Sequence, residues 1–353
     1  MENITTREQA IEILEKTERP VAPGRKCTID RFMPEDAWGV IRCCYSIYGG
    51  GYPIDAYYIP DKLIAENQNG NNFGVVARTV EGEITGYGAL YRSSAWSPKV
   101  YETGQYIVRK EYRNTRIAYE LYNFINTVLI DEVDLDAMFG EPVCKHLVTQ
   151  KMGVRAGYLE TGVELELMPA EAYETDANTA GRVSALLMLK VVRDMPHDIY
   201  LPEIYKEIVT RCTDSMKLAR KIKPAAAQPS GMDSGLSSCC YHDHAEVGRL
   251  SIARCGSETA HVVSDFESRA FSKNYKVLQV YLNIGEPAVG SVFEELLGKG
   301  YFFGAYLPRW FGTDGFLLQK LAVEPDLDSI LLHSEWAKEL LAFTLKDRER
   351  AGK

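Results

Sequence analysis

The sequence predicts a mixed α/β (α+β) fold: a mostly antiparallel central sheet flanked by helices, followed by a second, smaller α+β domain. Three observations predict it. Short alternating segments such as Cys27 to Arg31 and Glu83 to Tyr91 interleave with amphipathic helical stretches. The chain has 353 residues, 46% of them hydrophobic, which is enough apolar material for two cores. Lys223 to Ser238 (KPAAAQPSGMDSGLSS) reads as a low-complexity linker. The expected division is therefore a first domain over 1–200 and a second over 201–353, with the linker near 223–240.

In chain order, Thr5-x-x-Glu8 reads as a capping box opening a helix that buries Ala10, Ile11 and Leu14 and ends before Pro20. Cys27 to Arg31 is a first strand. A helix starts at Pro34, with Trp38, Ile41, Cys44, Tyr45 and Tyr48 as its stripe, and Gly49-Gly50-Gly51 stops it. Pro60 to Ile64 is a short helix. Asn72 to Val80 and Glu83 to Tyr91 form a hairpin, and Gly86 and Gly88 inside it imply close approach of another backbone or a ligand. Ser93 to Lys99 is a loop. Tyr101 to Val108 is a strand, Arg109 to Thr115 a basic turn, and the next helix carries Ile117, Leu121, Phe124, Ile125 and Val128.

Further on, Ala137 to Gly140 is a short strand and Val143 to Ala156 a helix ended by Gly157. Tyr158 to Leu167 and Arg182 to Val192 are strands. Pro202 to Lys221 is a helix with Ile204, Ile208, Cys212, Met216 and Leu218 inward. After the linker come strands Ala245 to Ala253, Thr259 to Phe266 and Lys276 to Leu282. A helix over Ala288 to Leu297 stops at Gly298 and Gly300. A hairpin, Tyr301 to Leu307 with Gly315 to Leu321, precedes a last helix over Ser334 to Leu345.

The net charge of −9 argues against a general nucleic-acid binder, which would show basic patches. No apolar run is long enough to span a bilayer, and MENITTREQAIEILEKTERP has no apolar signal core, so neither a membrane nor a secretory route is expected. The eight cysteines include no C-x-x-C and do not form a disulfide framework, which suits the reduced cytoplasm. In Cys239-Cys240-x-His242-x-His244, adjacent thiols cannot easily both face one ion and the spacing fits no common zinc pattern, so no metal is expected. Nothing in that spacing supports a nucleophilic cysteine either.

A strand that feeds a helix through a basic turn is a place to hold a phosphate. The first helical N–H groups lack partners, the dipole's positive end faces the turn, and Arg113 and Arg116 add donors. The plain alternative is an ordinary turn with a solvated basic face.

The order of elements over residues 26–168 resembles the GNAT superfamily of acyl-CoA-dependent N-acyltransferases, in about the first half of the chain. Ile29-Asp-Arg-Phe-Met-Pro-Glu-Asp-Ala37 is similar to that family's opening strand and first helix, and Tyr48 to Tyr58, with Tyr52-Pro53, to the following loop of a bacterial subgroup. Val108-Arg-Lys-Glu-Tyr-Arg113 resembles its V-x-P-x-Y-R exit from the fourth strand, with Lys110 in place of proline. Gly157-Tyr158 with Glu160-Thr161-Gly162 resembles its G-F/Y element.

The resemblance implies acetyl-CoA as co-substrate and a bulged fourth strand whose backbone pairs with pantetheine around Tyr106, Ile107 and Val108. It also implies a pyrophosphate turn over Arg113, Asn114, Thr115, Arg116, Ile117 and Ala118. Arg113 and Ala118 match the R/Q-x-x-G-x-G/A pattern, but Arg116 stands where the family has glycine. Its side chain either blocks the phosphate's approach or swings out and contacts phosphate itself. Glu102, six residues before Val108, stands at the family's base position, with an exposed edge carboxylate as the plain alternative. The family's acidic tyrosine is replaced by Gly153. His146 is the candidate substitute, against the plain reading of a satisfied polar residue, and Tyr91, Tyr101 and Tyr106 are further possible donors.

The implied partner is a small-molecule amine. Residues 245–323 repeat the order of strands, helix and strands, and Phe293 to Gly300 with Tyr301-Phe302-Phe303 repeats the helix-to-strand element. That suggests a second, degenerate GNAT-like domain without a phosphate turn. Its hairpin tip, Leu307-Pro308-Arg309-Trp310-Phe311-Gly312, could cover the first domain's cleft or form a homodimer surface; the plain alternative is Arg309 packed on Trp310.

Overall fold

The computed structural model describes residues 4–170, 181–225 and 233–352. The chain packs as two compact units, Met1–Ser93 with Tyr101–Asp134 and Ser94–Val100 with Leu135–Lys353. The expected mixed class holds, with mostly antiparallel strands flanked by helices.

The first unit contains α1 (Arg7–Thr17), β1 (Cys27–Arg31), α2 (Ala37–Tyr48), α3 (Pro60–Gln68), β2 (Asn72–Thr79), β3 (Ile84–Tyr91) and β4 (Val100–Val108, all but Val100 in this unit). It closes with α4 (Ile117–Phe124), which runs through a π-helical turn (Ile125–Leu129) into a last turn, α5 (Ile130–Glu132). The strands run β1-β2-β3-β4, each antiparallel to its neighbour. The capping box falls one residue later than expected. Thr6 accepts from the Gln9 N–H and the Gln9 side chain accepts from the Thr6 N–H, because Thr6 is the last extended residue.

The buried residues of α2 are Ala37, Val40, Ile41, Cys43 and Cys44, and all but Ile41 share a cluster with Leu63, Val76, Tyr87 and Ile107, while Trp38, Tyr45 and Tyr48 are only half-buried. Aromatic rings suit that boundary, with one edge apolar and one wet. α4 packs against β3. A Cβ on Gly86 would lie 2.7 Å from Ile117 Cγ2, and one on Gly88 would lie 2.9 Å from the Tyr106 ring, so side chains are the close neighbours that these glycines imply. The π turn rotates the helix, so that Ile125 and Leu129 are buried and Val128 is not.

The second unit contains β5 (Ala137–Gly140), α6 (Val148–Arg155), β6 (Leu159–Pro169), β7 (Arg182–Val191), β8 (His197–Leu201), α7 (Glu203–Met216) and β9 (Arg220–Pro224). It continues with β10 (Leu236–His242), β11 (Val247–Arg254), α8 (Thr259–Ser272), β12 (Val277–Asn283), α9 (Gly290–Gly298), β13 (Phe302–Leu307), β14 (Gly315–Leu321) and α10 (Glu335–Ala351). Its main sheet runs β5-β7-β6-β13-β14-β12-β11-β10, antiparallel except for β11 beside β12, and β8 and β9 form a separate parallel pair.

The stretch β5-β7-β6-β13-β14-β12 reads the same from either end, because strand–helix–strand–strand occurs twice. Each copy turns from helix to strand at a left-handed glycine, Gly157 (φ +84°) or Gly300 (φ +87°). The next tyrosine N–H then donates back into the helix, Tyr158 to Gly153 O and Tyr301 to Leu296 O, both at 3.0 Å.

Several expectations change here. Thr259 to Phe266 is not a strand but the start of α8, with Thr259, Val263, Phe266 and Ala270 buried at helical spacing. Residues 202–221 divide. α7 stops where Lys217 adopts φ 58°, and β9 follows. On α7 it is Tyr205 that turns inward, while Ile204 is 47% exposed. α6 starts at Val148, not at residue 143, and α3 and α10 run longer than expected. Of the linker over 223–238, residues 226–232 lie outside the described residues, and Leu236 already belongs to β10.

The hairpin tip is not a surface. Trp310 is fully buried in its own unit, beside Phe139 and stacked on Tyr281 with centroids 5.4 Å apart and the rings 1° from parallel. Arg309 donates to Asp136 at 2.6 Å. At the end of the same tip Asp314 is wholly buried. It accepts from Arg220 at 2.6 and 3.1 Å and from the Tyr306 hydroxyl, with His197 Nε2 3.2 Å away.

Candidate functional site

The candidate site of the first unit begins at a bulge in β4. Tyr87 pairs with Ile107 and Ala89 with Gly104, so Gln105 and Tyr106 together oppose Gly88. One residue too many bends the strand and leaves part of its backbone outside the ladder. Gln105 takes φ 61°, the left-handed region that a non-glycine residue enters at a cost of about 1 kcal/mol. Its side chain is held, because its Oε1 accepts from the Tyr52 hydroxyl. The Tyr52 loop is held in turn. Arg7 donates to Tyr52 O at 2.6 Å and also to Gly50 O, and Tyr58 donates to Gly49 O at 2.7 Å.

Tyr106 and Val108 are half-buried and Ile107 is buried against β3. The Tyr106 hydroxyl lies 2.5 Å from Thr103 Oγ1. Glu102 stands directly across from Tyr91 in the ladder, half-buried, and its Oε1 accepts from the Tyr91 hydroxyl. Tyr101 is buried, accepts from Arg92 at 3.2 Å and donates to Gly70 O at 3.3 Å. Burial raises the Tyr52, Tyr57 and Tyr106 phenols well above their ordinary range, so they stay neutral.

Beyond β4 the chain makes a 3-10 turn, Lys110–Tyr112, whose ends are anchored. Arg109 is buried and donates to Arg19 O at 2.7 Å and to Glu18 at the end of α1, and Tyr112 donates to Ala22 O at 2.6 Å. Arg113, Asn114, Thr115 and Arg116 are exposed, and Asn114 takes φ 65°. The Thr115 hydroxyl donates to Tyr112 O at 2.6 Å and accepts weakly from the Ile117 N–H at 3.4 Å. Ile117 is buried and Ala118 is half-buried in the first turn of α4. The Arg116 side chain is 80% exposed and lies along the helix toward Glu120, 3.8 Å away, with Tyr119 beside it. Of the two placements open to it, the structure has the outward one.

The turn and β4 bring Glu102, Tyr106, Ile107, Val108 and residues 113–118 onto one continuous run of chain within one unit. His146 belongs to the other unit. It is not on a helix but exposed on the turn ahead of α6, where its carbonyl accepts from Gln150 at 3.2 Å. Among the described residues no group of three or more His, Cys, Asp or Glu is arranged to hold a metal ion. Cys239 and Cys240 alternate along β10, both exposed and free. Burial, and then Arg249 and His244, lower His242 to about 4.

The role of Gln105 was not visible in the sequence, since no residue type announces a left-handed bulge other than glycine. The charge pattern likewise gave no sign of Arg7 as the anchor of the 50–52 loop.

No family model and no curated protein matches the chain. Among solved structures it is similar to ribosomal-protein-S5-alanine acetyltransferase from Vibrio fischeri (14% identity, 49% of this chain and 97% of that one, TM-score 0.37). It is similar also to an N-acetyltransferase from Staphylococcus aureus Mu50 (11%, 48% and 99%, TM-score 0.37) and to spermidine/spermine N-acetyltransferase from Vibrio cholerae (13%, 47% and 92%, TM-score 0.37).

Proposed function

We propose that this chain transfers an acyl group, acetyl in the simplest case, from acyl-CoA to the primary amine of a small molecule or amino-acid-like substrate. The observation that carries the reading is the β4 bulge at Gln105–Tyr106 leading directly into an exposed turn that Arg116 does not cover. Bulge backbone from Tyr106 to Val108 would pair with the pantetheine arm, and the N–H groups at the start of α4 would hold pyrophosphate. Glu102, one bulge away, takes the amine proton directly or through a water. The amine nitrogen then attacks the thioester carbon, the C–S bond breaks, and the thiolate takes up a proton. The tandem organisation belongs to the same proposal: residues 1–200 carry the transfer, and residues 201–353 form a related half without a phosphate turn.

Gly153 in place of the acidic tyrosine favours a second reading, an acyl-CoA-binding module without catalysis. Acetyl-CoA turnover against a panel of amines separates the two. Thiol release with at least one amine is the expected result. Tight CoA binding with no thiol release would leave the binding module, and no measurable CoA binding would sink both.

A further inference from the structure

We propose that Tyr91 is the positioning residue for Glu102 and that Gly104 is the gap in the strand that lets it act. The inference rests on Glu102 being the base of the transfer proposed above. Tyr91 and Glu102 are direct cross-strand partners, so their side chains leave the same face of the sheet. The Tyr91 hydroxyl donates to Glu102 Oε1, a charge-assisted contact that restrains the rotamer of the carboxylate.

The ring reaches that oxygen by leaning across β4 at Gly104, two residues further along the same face. A Cβ there would lie 2.9 Å from Tyr91 Oη and 3.3 Å from Cε1. The tyrosine and the glycine therefore form one device, a phenol laid over a strand with its side chain removed at the crossing. Tyr52, from the loop after α2, also lies close to Glu102. Its hydroxyl is committed to Gln105, so it does not substitute for Tyr91.

The test uses the full chain and an amine that it turns over. Tyr91→Phe should lower kcat about tenfold with the KM for acetyl-CoA unchanged, since the lost contact serves the proton transfer and not CoA binding. Gly104→Ala should do the same. The double variant should be no worse than the poorer single variant, because both changes remove one contact. In a Glu102→Gln background Tyr91→Phe should cost nothing further. Additive losses, a raised KM for acetyl-CoA, or a tenfold loss that persists in the Glu102→Gln background would each overturn the proposal.

A readout free of turnover separates this inference from the function beneath it. The side-chain carboxyl 13C resonance of Glu102, at fixed pH, should move in Tyr91→Phe and in Gly104→Ala alike. A resonance that stays put in both removes the contact. A resonance that moves in a protein that acetylates no amine keeps the contact and refutes the proposed transfer, and with it the positioning role.

Discussion

Arg116 stands where the resemblance calls for glycine, yet its guanidinium lies 3.8 Å from Glu120 with the side chain 80% exposed. An exposed i,i+4 pair of this kind contributes a few tenths of a kcal/mol at most. If the backbone holds the pyrophosphate, Arg116→Ala should change CoA affinity by less than about threefold, measured by calorimetry, against the roughly tenfold that a lost charge-assisted phosphate contact costs. Asp314 makes the opposite case, a buried carboxylate whose removal is costly. Burial alone would raise it, but His197 beside it and the hydrogen bonds from Arg220 outweigh that and hold it down to about 2. A depressed folded value means stability that is present above the usual carboxylate range and is lost as pH falls from about 4 toward 2. Asp314→Asn should cost about 1.5–3 kcal/mol at neutral pH, because it removes one of the two carboxylates on buried Arg220 and leaves only Asp194 at 2.7 Å, and should flatten that acid limb in denaturant melts. The sequence showed Asp314 only as a polar residue in a hairpin loop. Its partners come from as far away as position 197 in the chain, and no local pattern reports a contact of that span.

At the scale of elements, β3 and α4 meet through missing side chains. Gly86→Ala would put a methyl 2.7 Å from Ile117 Cγ2 and 3.1 Å from Leu121 Cδ1. Overpacking of this kind costs about 1–3 kcal/mol and should push the start of α4 away from the sheet. The expected result is a lower denaturation midpoint together with weakened CoA binding, and unchanged binding would separate α4 from the phosphate site. Most of these elements were legible. The hairpin, β4, its turn and the following helix carry strong alternation or a clear stripe, while Gly86 and Gly88 marked a close approach that side chains, not a ligand or a neighbouring backbone, chiefly make. Thr259 to Phe266 was misread because Thr259, Val262 and Val263 are β-branched, a local preference that the longer helical spacing through Ala270 overrides. β8, β9 and β10 are short or exposed, so burial wrote little pattern into them.

On the largest scale, the mirrored order within the second unit meets at one crossing. Gly162 of β6 pairs with Ala305 of β13, and a Cβ on Gly162 would lie 2.0 Å from Gly304 O. Since backbone cannot yield as a flexible side chain does, Gly162→Ala should destabilise this unit by about 3 kcal/mol, at the upper end of overpacking costs, seen as an early loss of its strands in hydrogen exchange. The repeat itself was partly readable, because Gly157-Tyr158 and Gly300-Tyr301 mark the same turn twice. What no residue count reveals is how the chain enters the later copy. Where β11 runs into α8, Ser257 donates its N–H to Asp233 O at 2.9 Å and Gly256 donates to Thr259 Oγ1 at 2.8 Å, while a Cβ on Gly256 would lie 2.2 Å from Gly235 N. The Gly256, Ser257 and Thr259 amides are thus engaged by the chain itself. Stoichiometry follows from that occupancy: if the turn before α4 holds the pyrophosphate, the protein should saturate at a single equivalent of acyl-CoA per chain, although the strand–helix–strand–strand order occurs twice.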